Sequence, residues 1–357
     1  MRYLITGGAG FIGSHLAEYL IKQGHHVHII DNLSTGSLEN VQHLINSPQF
    51  ESTVADVLDY HTLEQLVARC DQIFHLAAAV GVRLIMDEPV ETILTNVRGT
   101  ENVLKLASYY RKKVLIASTS EVYGKMMETN GDLESLQESD DWPLGPTSKR
   151  RWAYACSKAM DEFLAFAYQE EKKLPLVITR FFNTVGPRQT GRYGMVIPNF
   201  VERALKGEPI EVYGDGEQSR CFTYVGDAVR AVVMLMNTPE AEGEVFNIGS
   251  SQEITINALA KRVRELAHSL SPIVHVPYER AYGPGFEDMR RRTPNISKLR
   301  ETINFKPTHS VDDILRAVIE SMTPKLMDKA QAEVNVPVAP ANNHVVPLNN
   351  RPISVSM

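Results

Sequence analysis

The feature that most limits what this chain can become lies at its start. A short apolar run, Tyr3-Leu4-Ile5, leads at once into glycines at 7, 10 and 13, and Ile12, Leu16 and Leu20 then recur every fourth residue. That order describes a strand that turns through a tight loop into a helix packed back against it. A second apolar run at residues 27–30, with His28 its one polar member, supplies a neighbouring strand. Further strands are predicted at 72–76, 114–117 and 176–179, separated by helical patterns at 63–68, 90–109 and 155–168. Strands apolar on both faces, alternating with helices, imply an α/β fold with a doubly wound parallel sheet covered on both sides.

From about Asn183 the rhythm loosens into turn-rich stretches such as Tyr213-Gly214-Asp215-Gly216 and Tyr282-Gly283-Pro284-Gly285, although 228–236 and Ile256–Leu266 stay helical in pattern. A smaller, irregular α/β lobe is expected there. The expected division is 1–182 for the sheet domain and 183–322 for the lobe, with some chain crossing back. Prolines at 324, 337, 340, 347 and 352 break any helix, so 323–357 reads as a flexible tail.

Composition narrows the function. Lys plus Arg total 37 against 43 Asp plus Glu, a net charge of -6, so there is no basic footprint for nucleic acid or an acidic membrane. No segment approaches the 18 or so uncharged apolar residues of a membrane span, and the first residues lack a secretory signal. Cys70, Cys156 and Cys221 are odd in number and far apart, which gives neither a disulfide framework nor metal-ligand spacing. A soluble, cytoplasmic protein without a metal is expected.

Gly7, Gly10 and Gly13 let the turn close, let backbone approach a pyrophosphate, and let helix and strand pack closely. The helix N-terminus then offers free N–H groups and a positive dipole end to the phosphates. Asp31 ends the second strand, where an acid takes both ribose hydroxyls and repels a 2′-phosphate, which favours NAD over NADP. Asp56 closes the third expected strand, where it either flanks the adenine or caps a helix.

Tyr154 and Lys158 stand four apart at the start of a helix, one turn from each other on one face. A phenol near pKa ~10 is a poor base at neutral pH, and a neighbouring ammonium lowers that value. Thr119, ending the strand at 114–117, adds a hydroxyl where open α/β sheets bind ligands. Together the three could hold a substrate hydroxyl against a nicotinamide and exchange its proton during hydride transfer.

These residues also carry a resemblance. The segment from Thr6 to Gly13, Asp31-Asn32, His75-Leu76-Ala77-Ala78, the run Thr119 to Gly124, the Tyr154/Lys158 pair and Arg180-Phe181-Phe182-Asn183 occur in the order found in extended short-chain dehydrogenase/reductases that rebuild nucleotide sugars. The likeness spans Met1 to about Met322. It implies a Rossmann-type domain with tightly held NAD, a small C-terminal lobe for a UDP-sugar, and a homodimer formed through the two long helices at 90–109 and 155–168. It also implies cofactor contacts from Gly7, Gly10, Phe11, Ile12, Asp31, Asn32, Asp56, Val57, Leu76, Ala77, Tyr154, Lys158 and Phe181, and substrate contacts from Asn183, Arg220 and Arg292.

Within that group the chain is similar to UDP-glucuronate decarboxylases. Ser120-Glu121 follows Thr119, Arg151-Trp152-Ala153-Tyr154 opens the catalytic helix, and Arg292 stands in an Arg-Thr-Pro-Asn-Ile context. The resemblance implies catalytic roles for Thr119, Ser120, Glu121, Tyr154 and Lys158. Glu121 would lie beside the sugar's C6 carboxylate and favour its loss as CO2, and Ser120 or Arg292 would bind that carboxylate; Arg292 could equally be a plain diphosphate contact. Two departures stand out. Ile85 replaces a tyrosine usual in decarboxylases, and Val80-Gly81-Val82-Arg83 resembles UDP-glucuronate 4-epimerases, with Arg83 placed to meet a uronate carboxylate. The acidic stretch from Lys125 to Pro146 matches no subfamily and either shapes the sugar pocket or is a solvated loop. The leading expectation is a UDP-hexuronate decarboxylase, the runner-up is a UDP-sugar 4-epimerase, and a catalytically silent NAD-binding protein is the alternative of another class.

Overall fold

Seven strands form the central sheet of the computed structural model, which describes residues 1–80, 88–191, 194–282 and 289–334. They are β1 (Arg2–Thr6), β2 (His26–Asp31), β3 (Phe50–Val54), β4 (Gln72–His75), β5 (Lys113–Thr119), β6 (Leu176–Phe181) and the edge strand Glu244–Ile248. Their spatial order is Glu244–Ile248, β6, β5, β4, β1, β2, β3, and every pairing is parallel. Alternation along the strands feeds both faces of the sheet, which together make the first core. Tyr3, Ile5, Ile29, Phe74, Leu115 and Val177 belong to one, while Leu4, Ile30, Ile73, Ile116 and Ile178 belong to the other. Strand order reverses between β1 and β4, so the carboxyl ends of these two strands flank the crevice where such sheets bind ligands.

The expected strands all form, with ends shifted by a few residues. Helices run over Phe11–Lys22, Tyr60–Arg69, Pro89–Tyr110 and Trp152–Lys172, where helical patterns were read. Glu244–Ile248 is a strand that the sequence pattern did not reveal, because Asn247 interrupts a short apolar run between Gly243 and Gly249. With the helix Val225–Met236, it carries the chain back into the first core.

The later chain builds a second core from Val185, Ile197, Phe200, Val212, Leu259 and Leu315, among others. Three two-stranded sheets flank it: Thr184–Val185 with Thr223–Tyr224, Ser219–Cys221 with Glu253–Thr255, and Ile210–Tyr213 with Ile273–Val276.

Two expectations change. The last helix runs Val311–Val334, straight through Pro324, where the sequence reading ended helical structure. One proline forfeits a single backbone hydrogen bond. Val318 and Met322 anchor the preceding turns on the second core, and the residues from Lys325 to Glu333 are mostly strong helix formers, so the helix persists. The acidic stretch is not a solvated loop throughout. Leu136 is buried, its amide donates to Thr293 O at 2.8 Å, and its carbonyl accepts from Asn295 N at 2.8 Å. Asn247 fixes the junction from below: its side chain donates to Leu136 O and Asn295 O and accepts from the Tyr123 hydroxyl at 2.7 Å. The segment is a strap that ties the chain just after Arg292 to the central sheet.

Candidate active site

The glycine loop leaves no room for side chains. A Cβ at Gly7, whose φ is +70°, would stand 2.8 Å from Ala77 N, and one at Gly13 would stand 2.2 Å from Gly7 O. Gly10 caps the helix Phe11–Lys22 with extended backbone and no side-chain cap, so the first-turn N–H groups are offered to a ligand instead. Asp31, at the end of β2, faces the same loop. Its Oδ2 accepts from Ala9 N at 3.0 Å and its Oδ1 from Leu33 N at 2.8 Å. Burial raises its pKa, against the pull of these amides. Asn32 Nδ2 donates to Asp56 Oδ2 at 2.7 Å, and Asp56 Oδ1 accepts from Leu58 N within a turn; Asp56 does not cap the following helix, because Asp59 takes that place and accepts from Thr62 N. Leu76 and Ala77 border Gly7 through hydrogen bonds to Thr6 O and Thr6 Oγ1. Val57 packs beneath Gly99 and its carbonyl accepts from Asn102. A bare cradle, a helix N-terminus without a side-chain cap and an aspartate at the strand end together fit the pyrophosphate and adenosine ribose of a dinucleotide.

The other half of the crevice gathers charged side chains. Thr119 ends β5 opposite Phe181 of β6 and caps the one-turn helix Ser120–Tyr123, its Oγ1 accepting from Glu121 N at 3.2 Å. Ser120 is buried in that turn. Tyr154 is also buried, and the Thr119 hydroxyl is near enough to favour its ionised form. Glu121 Oε1 accepts from Arg292 Nη1, and its Oε2 stands 3.3 Å from Arg151 Nη2. Although burial pushes the carboxyl up, the guanidiniums of Arg292, Arg151 and Arg220 hold Glu121 well down, to about 2. Arg292 Nη2 also reaches Asn183 Oδ1 at 3.3 Å, and Asn183 Nδ2 donates to Cys221 O. Arg220 is buried and donates to its neighbour's carbonyl, Ser219 O, at 2.7 Å. Glu121 is therefore not a bare second carboxylate but a neutralised one. Arg83, with Gly81, Val82 and Ile85, lies outside the described residues.

Lys158 is placed differently from the expected phenol–ammonium pair. Its Nζ bonds Asp161 Oδ2 at 2.6 Å, with the side chains only 3% and 0% exposed. Burial pushes the Tyr154 phenol above its ordinary value, and Glu121 and Asp161 add to this, while Thr119 and Arg292 oppose it. Below the lysine, His75 bridges Thr6 Oγ1 at 2.8 Å and Thr100 Oγ1 at 3.1 Å. Burial, and secondarily Lys158, push its pKa down to about 3, so the ring is a neutral linker. Glu162, the next residue after Asp161, bonds Ser118 Oγ and Arg180, and Arg180 in turn reaches Glu138 O of the strap at 3.1 Å. Sequence reasoning did not assign Arg151, Asp161 or His75. The first lies in a quoted motif three residues before Tyr154, and the second is one turn after Lys158, a spacing at which helical side chains meet.

A parallel sheet with a glycine-loop crevice, and a Thr119–Tyr154–Lys158 set at its rim, define the extended short-chain dehydrogenase/reductase class. A profile described as GDP-mannose 4,6 dehydratase matches residues 4–318, and the chain belongs to that family. It is 45% identical over 320 residues to a UDP-N-acetyl-alpha-D-glucosaminuronate decarboxylase of Bacillus cytotoxicus, covering 89% of this chain and 97% of that one. It is 35% identical over 334 residues to UDP-glucuronic acid decarboxylase 1 of Danio rerio, covering 92% of this chain and 74% of that one. Among solved structures, a UDP-glucuronic acid 4-epimerase of Bacillus cereus, in complex with UDP-4-deoxy-4-fluoro-glucuronic acid and NAD, superposes with a TM-score of 0.81 at 28% identity, over 91% of this chain and all of that one.

Proposed function

We propose that this protein is an NAD-dependent decarboxylase of a UDP-hexuronate, acting on UDP-glucuronate or its 2-acetamido counterpart to give the UDP-pentose. The observation that carries this reading is the guanidinium pair of Arg151 and Arg292 on Glu121, beside the hydroxyls of Thr119 and Tyr154. It supplies positive charge for a uronate carboxylate next to groups able to take a proton from a sugar hydroxyl.

The glycine loop and Asp31 would hold NAD, which supplies the acceptor for the C4 hydrogen as hydride and later returns it. Tyr154 would act as its phenolate, helped by Thr119 and Lys158, taking the C4 hydroxyl proton and giving it back in the reverse transfer. The resulting β-keto acid loses its C6 carboxylate as CO2 because the bonding electrons flow toward the C4 carbonyl. Tyr154, hydrogen-bonded to that oxygen, steadies the charge arriving there. Arg292 and Arg151 seat the carboxylate before it leaves, and Glu121 holds both guanidiniums in place. Protonation at C5, assisted from the Ser120 and Arg292 side, and reduction at C4 complete the cycle.

Residues 1–182 would mainly serve the dinucleotide and 183–322 the UDP-sugar, where Asn183, Arg220 and Arg292 stand. The similarity to a glucuronate-binding 4-epimerase favours one second reading, epimerisation at C4 of the same class of substrate. Incubation with UDP-glucuronate and UDP-N-acetylglucosaminuronate separates the two. Released CO2 and a pentose product are expected, and a product of unchanged mass from both substrates would overturn the decarboxylase reading.

A homodimer completes the proposal. Val90, Ile93, Met160 and Phe163 are exposed on the long helices Pro89–Tyr110 and Trp152–Lys172, an apolar face of the kind subunits bury. Sedimentation of Phe163→Lys should show a shift toward monomer, and an unshifted or already monomeric wild type would refute it. A reducing cytoplasm suits the thiols of Cys70, Cys156 and Cys221, none of which is in a disulfide.

A further inference from the structure

We infer that Asp161 is a positioning residue for the reaction, acting through Lys158: it supplies the buried counter-charge of this lysine and fixes where its Nζ stands. The inference rests on the proposed role of Tyr154 and Lys158 and goes beyond it. An ammonium taken out of water without an anion tends to give up its proton, and a neutral amine could not help a phenol ionise. Lys158 is 3% exposed, so it meets that cost in full, and the 2.6 Å bond to a carboxylate with no exposure is what offsets it. The pair is local to one helix, at i and i+3, which sets the direction of the lysine without help from a loop.

The other oxygen of this carboxylate, Oδ1, is buried without a hydrogen-bond partner among the described residues, so the bond to Lys158 is what holds the group. Thr100 of Pro89–Tyr110 stands beside Asp161 and also bonds His75 Nε2 at 3.1 Å. His75 continues to Thr6 Oγ1, and Thr6 Oγ1 accepts from Ala77 N at 3.1 Å, next to Gly7. A buried polar chain thus runs from the glycine loop to Thr100, on the helix that faces Asp161. One helical turn away, Asn96 Nδ2 donates to Ser157 Oγ at 3.1 Å, which pins the two helices beside Lys158.

A double-mutant cycle tests the inference. Asp161→Asn should lower kcat for the UDP-uronate at least tenfold, leave its KM within about threefold, and leave the dinucleotide bound. In a Lys158→Met background the same Asp161→Asn change should cost nothing further in kcat, because there is no ammonium left to hold. An equal loss in both backgrounds, or wild-type turnover in Asp161→Asn, would overturn it. The same cycle read by chemical denaturation needs no substrate, so it distinguishes failure of this pair from failure of the proposed reaction. Lys158→Met/Asp161→Leu should unfold at a denaturant midpoint closer to wild type than Asp161→Asn does. If Asp161→Asn does not fold, recovery of folded protein in that double variant supports the pair, and a double variant as unstable as the single refutes it.

Discussion

At the glycine loop the site is shaped by what is left out. Side chains at Gly7 and Gly13 would collide with backbone, and the charge facing the loop comes from Asp31, held by the Ala9 and Leu33 amides. Around Tyr154 the site is shaped by what is brought in. Glu121 on the sheet domain meets Arg151 from the catalytic helix and Arg292 from the far end of the chain, and Lys158 meets Asp161. The first kind of site is settled by backbone geometry, so a change there fails locally, by collision at the residue changed. The second is a network, in which removing one partner strands the others as buried charges. Substitutions in the two halves should therefore fail differently.

The largest expected effect separates them. Tyr154→Phe keeps the ring that fills the site and removes only the oxygen. Turnover should fall by about 10³-fold, within the ~10²–10⁴-fold range of general acid–base catalysis, while co-purified dinucleotide stays at wild-type occupancy. Loss of dinucleotide together with turnover would show that the halves are not separable.

Glu121→Gln is the next test, since it should disturb the network without touching the loop. We expect about a 10²-fold drop in kcat, because the amide leaves Arg151 and Arg292 short of a counter-charge and free to turn away from the carboxylate they seat. The same substitution has a pH signature. Glu121 is held at about 2 against an ordinary 4.5. Its native ionisation thus stabilises the fold above about pH 4.5, and that contribution fades as pH falls toward 2. Denaturation midpoints of the wild type should drop through that window, and those of Glu121→Gln should drop less. Parallel curves would mean that the arginine cluster contributes nothing to the fold.

How much of each half is legible in sequence follows from the same contrast. The loop half is contiguous: glycines at 7, 10 and 13, a strand on either side and Asp31 at the end of the second are all local signals. The fold was legible for the same reason, since its strands and helices alternate along the chain. The network half is not contiguous. Glu121 and Arg292 are 171 positions apart, and no periodicity links them. Their proximity was suggested by resemblance and is realised through the Leu136 strap and the Asn247 junction, neither of which has a sequence signature. Asp161 was missed because an acid three residues after a lysine usually reads as a surface pair, and only burial makes it otherwise. Pro324 misled in the opposite direction, because its local cost is small against the anchoring of Val318 and Met322.

The smallest expected effect runs the two halves against each other in sign. Burial lifts the Asp31 carboxyl, whereas arginines depress Glu121. An acid raised in the fold is costly once ionised, so at neutral pH Asp31 works against stability, and the cost disappears as pH falls below its unfolded value. Asp31→Asn removes that charge and keeps an oxygen able to accept from one amide. Its denaturation midpoint at pH 7 should rise slightly, by ~0.5 kcal/mol, the gain typical of relieving strain at a functional position. Its hold on NAD should weaken about tenfold, the ~1.4 kcal/mol of one good charged hydrogen bond to a ribose hydroxyl. Dialysis against buffer followed by dinucleotide assay, alongside the denaturation curve, checks both. A variant that lost stability would show that Asp31 is held for the loop's own sake, because its bonds to Ala9 and Leu33 would then outweigh the cost of burying it. A variant that gained stability and lost NAD would locate the cofactor's adenosine end at β2 by a measurement independent of catalysis.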